Sequence, residues 1–243
     1  MPVDLAAAWT AVVGPSQPAL DCWAGLITRW SEPHRRYHGI GHLSAVLLFL
    51  DEYGNHGTDL DAVRLAAWYH DAIYDPRAAD NEERSAELAV DELGALSLPS
   101  DRVDEVARLV RLTARHDPVG GDRNGELLND ADLMVLGSPP EAYLAYLNAI
   151  REEYAHVPDP EFRAGRAAVL ESLLETPSVY RLAVLAPMEA VARRNMTAEL
   201  ILLQSGPGLA TPAAPVAGQP TEGAVAPFAA DLHAAAPPGP PDR

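Results

Sequence analysis

"AAWYHDAIYDP", residues 66–76, decides how the rest of the chain is read. Two alanines, Trp68 and Tyr69 give a packed apolar helix face. His70 and Asp71 then stand side by side, followed by Asp75 and the stop signal Pro76. Neighbouring residues on a helix point about 100° apart, so adjacent side chains ordinarily serve different faces. They converge only on a point lying between them at ligand-bond distance. A metal ion is such a point, taking an imidazole nitrogen and a carboxylate oxygen together at roughly 2.0–2.2 Å. A solvated helix end with Asp71 as a local cap has the same two residues, so other segments must decide.

Upstream, "RRYHGIGH" (residues 35–42) places His38 and His42 four apart, ahead of an apolar helix expected from Leu43. Downstream, "LLNDADLMVLG" (residues 127–137) sets Asp130 and Asp132 inside an apolar helix. An unpaired carboxylate there costs several kcal/mol to bury, and no arginine or lysine lies within a turn of Asp132. Three segments thus offer metal ligands from apolar surroundings, in the order His, His-Asp, Asp.

Around them the chain reads as helices throughout. "QPALDCWAGLITRWSE" and "HLSAVLLFLDEYG" carry apolar residues at helical spacing, the second closed by Gly54. "TDLDAVRLAAWYHDAIYDP" opens on a capping signal and is expected to run to Pro76. "ADNEERSAELAVDELGAL" has Asp80 and Glu83 at capping-box spacing. "SDRVDEVARLVRLTARHDP" puts Val103, Val106, Leu109, Val110 and Thr113 on one face. Four more segments follow, and Tyr143, Tyr146, Leu147 and Tyr154 read as a core stripe. No alternating β-branched run calls for a sheet. Beyond residue 204, Ala, Pro and Gly dominate without period. The expectation is an all-α single domain over 1–204 and a disordered tail over 205–243.

Composition limits the partners. The 243 residues carry 35 acidic against 18 basic side chains, a formal charge of −17. That field repels nucleic acid and anionic membrane surfaces, but a local metal or arginine cluster can still hold a small phosphorylated ligand. Cys22 is the only cysteine, so neither an internal disulfide nor a cysteine-rich zinc site is available. "MPVDLAAAWTAVVG" lacks a basic leader region, and the longest apolar run, "LSAVLLFL", is far short of a membrane span. A soluble cytoplasmic protein is expected.

With these residues in view, the chain resembles the HD-domain metal-dependent phosphohydrolases, whose signature is a histidine, an adjacent His-Asp pair and a distant aspartate on separate helices of an all-α bundle. The resemblance extends to an uncharacterised bacterial branch, through "RYHGIGH", "WYHDAIYDP", "DNEERSA", "DADLMVLG", "IREEYAHV", "GRAAVLESLL" and "ARRNMTAEL", between about residues 35 and 200. It implies His42, His70, Asp71 and Asp132 as ligands of a divalent ion (Mn, Co, Ni, Zn, Fe or Mg). His42 is preferred to His38 because "HLSAV" looks like the family's setting, and Asp132 to Asp130 because "ADL" does.

The implied activity is hydrolysis of a small phosphorylated metabolite, a nucleotide among the candidates, by a metal-activated water. Many relatives carry a catalytic glutamate three residues after the HD aspartate; here Tyr74 stands there. Asp75, one turn beyond Asp71, or Glu82 in "DNEERSA" is expected to supply that carboxylate. Arg36, Arg151 and Arg166 are candidate phosphate-binding cations, with His38 and His116 as further substrate contacts. A histidine between the HD pair and the last aspartate also resembles the di-iron oxygenases of the superfamily, such as myo-inositol oxygenase, although those use two. A di-iron oxygenase and a non-catalytic nucleotide-binding module are therefore the alternatives.

Overall fold

Apolar residues at 3.6-residue spacing fold into helices here because each stripe is buried against another. The computed structural model describes residues 3–205. Among them are ten α-helices and no strand. The expected tail, from residue 206 onward, lies outside the described residues. No helix among those described is long and apolar enough to cross a membrane.

The helices are α1 (Leu5–Val13), α2 (Gln17–Trp30), α3 (Ile40–Tyr53), α4 (Leu60–Tyr69), α5 (Asn81–Ala95), α6 (Ser100–Thr113), α7 (Arg123–Asp132), α8 (Pro140–Glu153), α9 (Asp159–Glu175) and α10 (Ala186–Gln204). Side-chain caps start several: Asp4 takes the Ala7 N–H, Ser16 that of Ala19, Asp59 that of Ala62 and Asp122 that of Gly125. Helix α1 lies in a segment assigned no element of its own from the sequence. It docks by Trp9, which is fully buried, donates its indole N–H to Ala19 O at 2.8 Å, and meets Trp68 edge-on at 5.4 Å.

One apolar cluster runs through all ten helices. Val103, Val106, Leu109, Val110 and Thr113 are buried as their spacing predicts, and so are Tyr143, Tyr146, Leu147 and Tyr154. At the centre α3, α4 and α7 pack against one another, so the ends of three helices meet in the interior.

Three local expectations are corrected. Helix α3 begins at Ile40 rather than Leu43, which puts His42 inside its first turn. Asp80 makes no side-chain cap to α5; Glu83 instead forks with Arg111 at 2.6 and 2.8 Å. Helix α4 ends at Tyr69, seven residues short of Pro76. Side chains draw the backbone off the helical path there. Arg35 takes the carbonyls of Asp71 and Ala72, Ser85 Oγ accepts the Ile73 N–H, and Asn81 bridges the N–H and carbonyl of Asp75. The HD pair therefore sits on a turn at the helix end, where its two side chains need not diverge as helix neighbours do.

Candidate metal centre

His42 projects inward from the first turn of α3, His70 caps the C-terminus of α4, and Asp132 is the last residue of α7. All three are buried and form a group able to hold a metal ion. The Nε2 atoms of His42 and His70 lie 2.9 Å apart, and Asp132 Oδ1 is 3.2 Å from that of His42 and 3.6 Å from that of His70. Ligand bonds near 2.1 Å place neighbouring donors about 3.0 Å apart in an octahedron and about 3.4 Å apart in a tetrahedron. The observed edges span that range. Asp71 Oδ2 stands 3.2 Å from His70 Nε2 and 3.7 Å from His42 Nε2.

The rings are oriented from behind. His70 Nδ1 lies 2.9 Å from Ala67 O, so it donates its proton there and, in the neutral ring, Nε2 is the inward lone pair. His42 Nδ1 lies 3.2 Å from the Tyr37 hydroxyl. Burial lowers the His42 imidazole below its ordinary value. Burial pulls on His70 too, but Asp71 and Asp132 more than offset it and hold it at about 9. Burial would raise both carboxyls, but the neighbouring histidines outweigh it, holding Asp71 well below the carboxylate range and Asp132 below its ordinary value.

Between the two sequence candidates in each pair, the structure brings one to the cluster. His38 turns to Glu153, Nδ1 to Oε2 at 2.6 Å. Asp130 accepts the N–H groups of Arg181 and Leu182 at 2.7–2.9 Å, anchoring the chain ahead of α10; burial raises it to about 6.

His116 joins the edge of the cluster. It follows α6 in a left-handed conformation (φ 49°), and its Nε2 stands 3.8 Å from Asp132 Oδ2. Such a φ costs roughly 1–2 kcal/mol for a residue with a Cβ. Its Nδ1 is buried without a hydrogen-bond partner, as is Oε1 of Glu82 in the first turn of α5. Burial lowers the His116 imidazole.

The other expected site residues go elsewhere. Asp75 is exposed and accepts the Arg77 N–H at 2.9 Å, a local turn. Arg166 is buried because its guanidinium forks onto Glu199 at 2.7 and 3.0 Å and lies over the Tyr146 ring. Arg151 donates to the carbonyls of Tyr154 and Val157 and covers Phe162, closing the α8–α9 turn. Arg36 is exposed and pairs with Glu152 at 3.3 Å. None of these three arginines forms a hydrogen bond or ion pair with the cluster.

Sequence reading missed Arg35 and Glu153. Glu153 accepts the N–H groups of Arg36, Tyr37 and His38, the His38 ring and the Tyr74 hydroxyl. Its spacing from Tyr146 and Ile150 puts it on the buried stripe of α8, a signal open to helical counting. Arg35 lies outside any helix, and nothing periodic separates it from Arg36.

Comparison with family models, with curated proteins and with solved structures gives no match.

Proposed function

We propose that this protein is a metal-dependent phosphohydrolase of the HD type, acting on a small phosphorylated metabolite, with His42, His70, Asp71 and Asp132 as the ligand set. The observation that carries the reading is the convergence of His42, His70 and Asp132, from three helix ends, on one buried point, with Asp71 Oδ2 3.2 Å from His70 Nε2. Charge balance supports it. Without a metal the cluster holds two carboxylates against the one charge of a His70 protonated on both ring nitrogens, a net negative charge in the interior. A divalent ion displacing that proton cancels both carboxylates.

The bound ion supplies Lewis acidity and a water of lowered pKa. The chain's own residues do the rest. His70 keeps its Nδ1 proton on Ala67 O, which holds Nε2 in the ligating tautomer. Glu82 is buried with Oε1 unpartnered, which supports it over the exposed Asp75 as the carboxylate that would take a proton from water, in the role that Tyr74 vacates. His116 faces the cluster with Nε2 and is the group to hold a phosphoryl oxygen. A cavity of about 420 Å³ lined by Trp30, Tyr37, His42 and Tyr146 gives an aromatic wall beside the ligands.

One observation favours a second reading. His116 is an additional metal-ligand type buried at the cluster's edge with Nδ1 unpartnered, which suits a two-metal centre and hence the di-iron oxygenase. Elemental analysis of tag-free protein purified without chelator separates the two. One divalent ion per chain, with phosphoester hydrolysis lost in Asp132→Asn, upholds the hydrolase. Two irons and oxygen uptake favour the oxygenase. Metal-loaded protein that cleaves no phosphomonoester, phosphodiester or nucleotide overturns the first reading.

A further inference from the structure

All eighteen basic residues of this chain are arginine; it has no lysine. Most guanidinium groups are committed. Arg64, Arg102, Arg108, Arg111 and Arg193 each pair with a carboxylate at 3.1 Å or less. Arg29 and Arg77 are different: among the described residues their guanidinium groups form no hydrogen bond or ion pair. They come from separate segments, the last turn of α2 and the turn after the HD pair. Both line a single cavity of about 590 Å³, together with Arg36 and Arg84.

Four carboxylates also line it, and each is engaged. Glu32 is held by Arg35 at 3.0 Å. Glu153 is saturated by three backbone N–H groups, His38 and Tyr74. Glu152 pairs with Arg36, and Asp75 takes the Arg77 main-chain N–H. Arg84 meets Asp80 only at 3.7 Å, with both side chains about half exposed or more, an arrangement worth little against a competing anion. A chain of charge −17 thus presents three available guanidinium forks around one cleft.

We propose that this cleft is an anion site for an oligophosphate, meaning a ligand with two or more linked phosphates. A guanidinium fork matches a phosphate bidentately. Forks from three separate segments can be satisfied together by a chain of phosphates better than by one. The volume falls in the range of small-molecule sites. The site is distinct from the metal cluster. Tyr74 and Glu153 form its inner wall; His38 packs behind them on Tyr74 at 4.3 Å, and His42 lies beyond His38. It stands whether or not the metal centre hydrolyses anything.

The test is isothermal titration of the full, metal-free chain with inorganic triphosphate, and with orthophosphate for comparison. Wild type is expected to bind triphosphate at least tenfold more tightly than orthophosphate. Arg29→Gln/Arg77→Gln is expected to weaken triphosphate at least tenfold, and Asp132→Asn to bind as wild type. Circular dichroism confirms the fold of each, and the single Arg77→Gln, at an exposed position, serves if the double variant does not fold. Equal binding by the arginine variants, loss in Asp132→Asn, or no binding by wild type at millimolar triphosphate would each overturn the proposal.

Discussion

The guanidinium of Arg35 donates to the main-chain oxygen of Asp71 at 2.7 Å, joining the loop before α3 to the turn that carries the His-Asp pair. The same group also takes Ala72 O at 3.2 Å and His38 O at 2.9 Å, and lies against the rings of Trp30 and Tyr74. The last carbonyls of a helix have no partner within it. The carbonyls of Asp71 and Ala72, in the turn just past α4, are in the same position; Arg35 supplies their partner, and the turn it stabilises sets where His70 and Asp71 aim.

Replacing Arg35 by lysine keeps the charge but removes the fork that reaches three carbonyls at once. Hydrogen bonds from a charged donor contribute about 1.5–3 kcal/mol, so a loss of about 2 kcal/mol in urea denaturation is expected. Partners standing behind metal ligands typically matter 10–100-fold in metal affinity. A metal titration should therefore weaken by at least tenfold, beyond what a purely structural role would show. Unchanged affinity in a folded Arg35→Lys would reduce Arg35 to a stability element.

Metal binding should stabilise the fold. A ligand at a hundred times its Kd adds about 2.7 kcal/mol, which for a domain of this size raises Tm by roughly 5–10 °C. Calorimetry with and without chelator measures it. Asp71→Ala should lose both the bound metal and the chelator-sensitive shift while keeping its far-ultraviolet helical signal. A variant that retained full metal would remove Asp71 from the ligand set.

How much of this was legible in the sequence follows from what each feature depends on. The faces of α6 and α8 depend on local period, and their buried residues are those counted along the chain. That the three segments share one point was legible because buried histidines and carboxylates in apolar segments need a common partner; the choice of His42 over His38 and of Asp132 over Asp130 rested on the family resemblance. The end of α4 was not, because Arg35, Ser85 and Asn81, which lie outside the helix and meet the turn only in the folded chain, overrule the proline that marks a stop. Arg166 was misplaced for a related reason: an arginine at a helical core position looks the same whether it faces a phosphate or Glu199, and only α10 supplies the answer.

That pair makes its own prediction. Arg166 and Glu199 are both buried, with Tyr143 also donating to Glu199 at 2.6 Å. Removing one partner of a buried pair strands the other charge and costs about 3–5 kcal/mol. Arg166→Met should be destabilised by that amount, and Arg166→Met/Glu199→Leu should recover much of it. Metal content should stay at the wild-type level in the double variant. If the double variant stays folded but loses metal, the pair supports the centre after all.

Acid should unlock the loop before α3 through Glu153. Burial alone would raise this carboxyl, but His38 and the backbone N–H groups of Arg36 and His38 lower it from 4.5 to about 2. A depressed pKa stabilises the fold above the unfolded value and loses that contribution as pH falls through the folded one. The window therefore runs from about pH 5 down to pH 2, and the shift corresponds to about 3 kcal/mol. His38 does not titrate there, since the opposing pull of Glu153 more than offsets its burial and raises it from 6.5. Wild type should lose about that much stability across the window in urea denaturation at fixed pH steps. Glu153→Gln should be less stable at pH 6 and lose less on acidification, so that the two curves approach each other near pH 2. Parallel curves would show that the carboxylate is not what holds the loop.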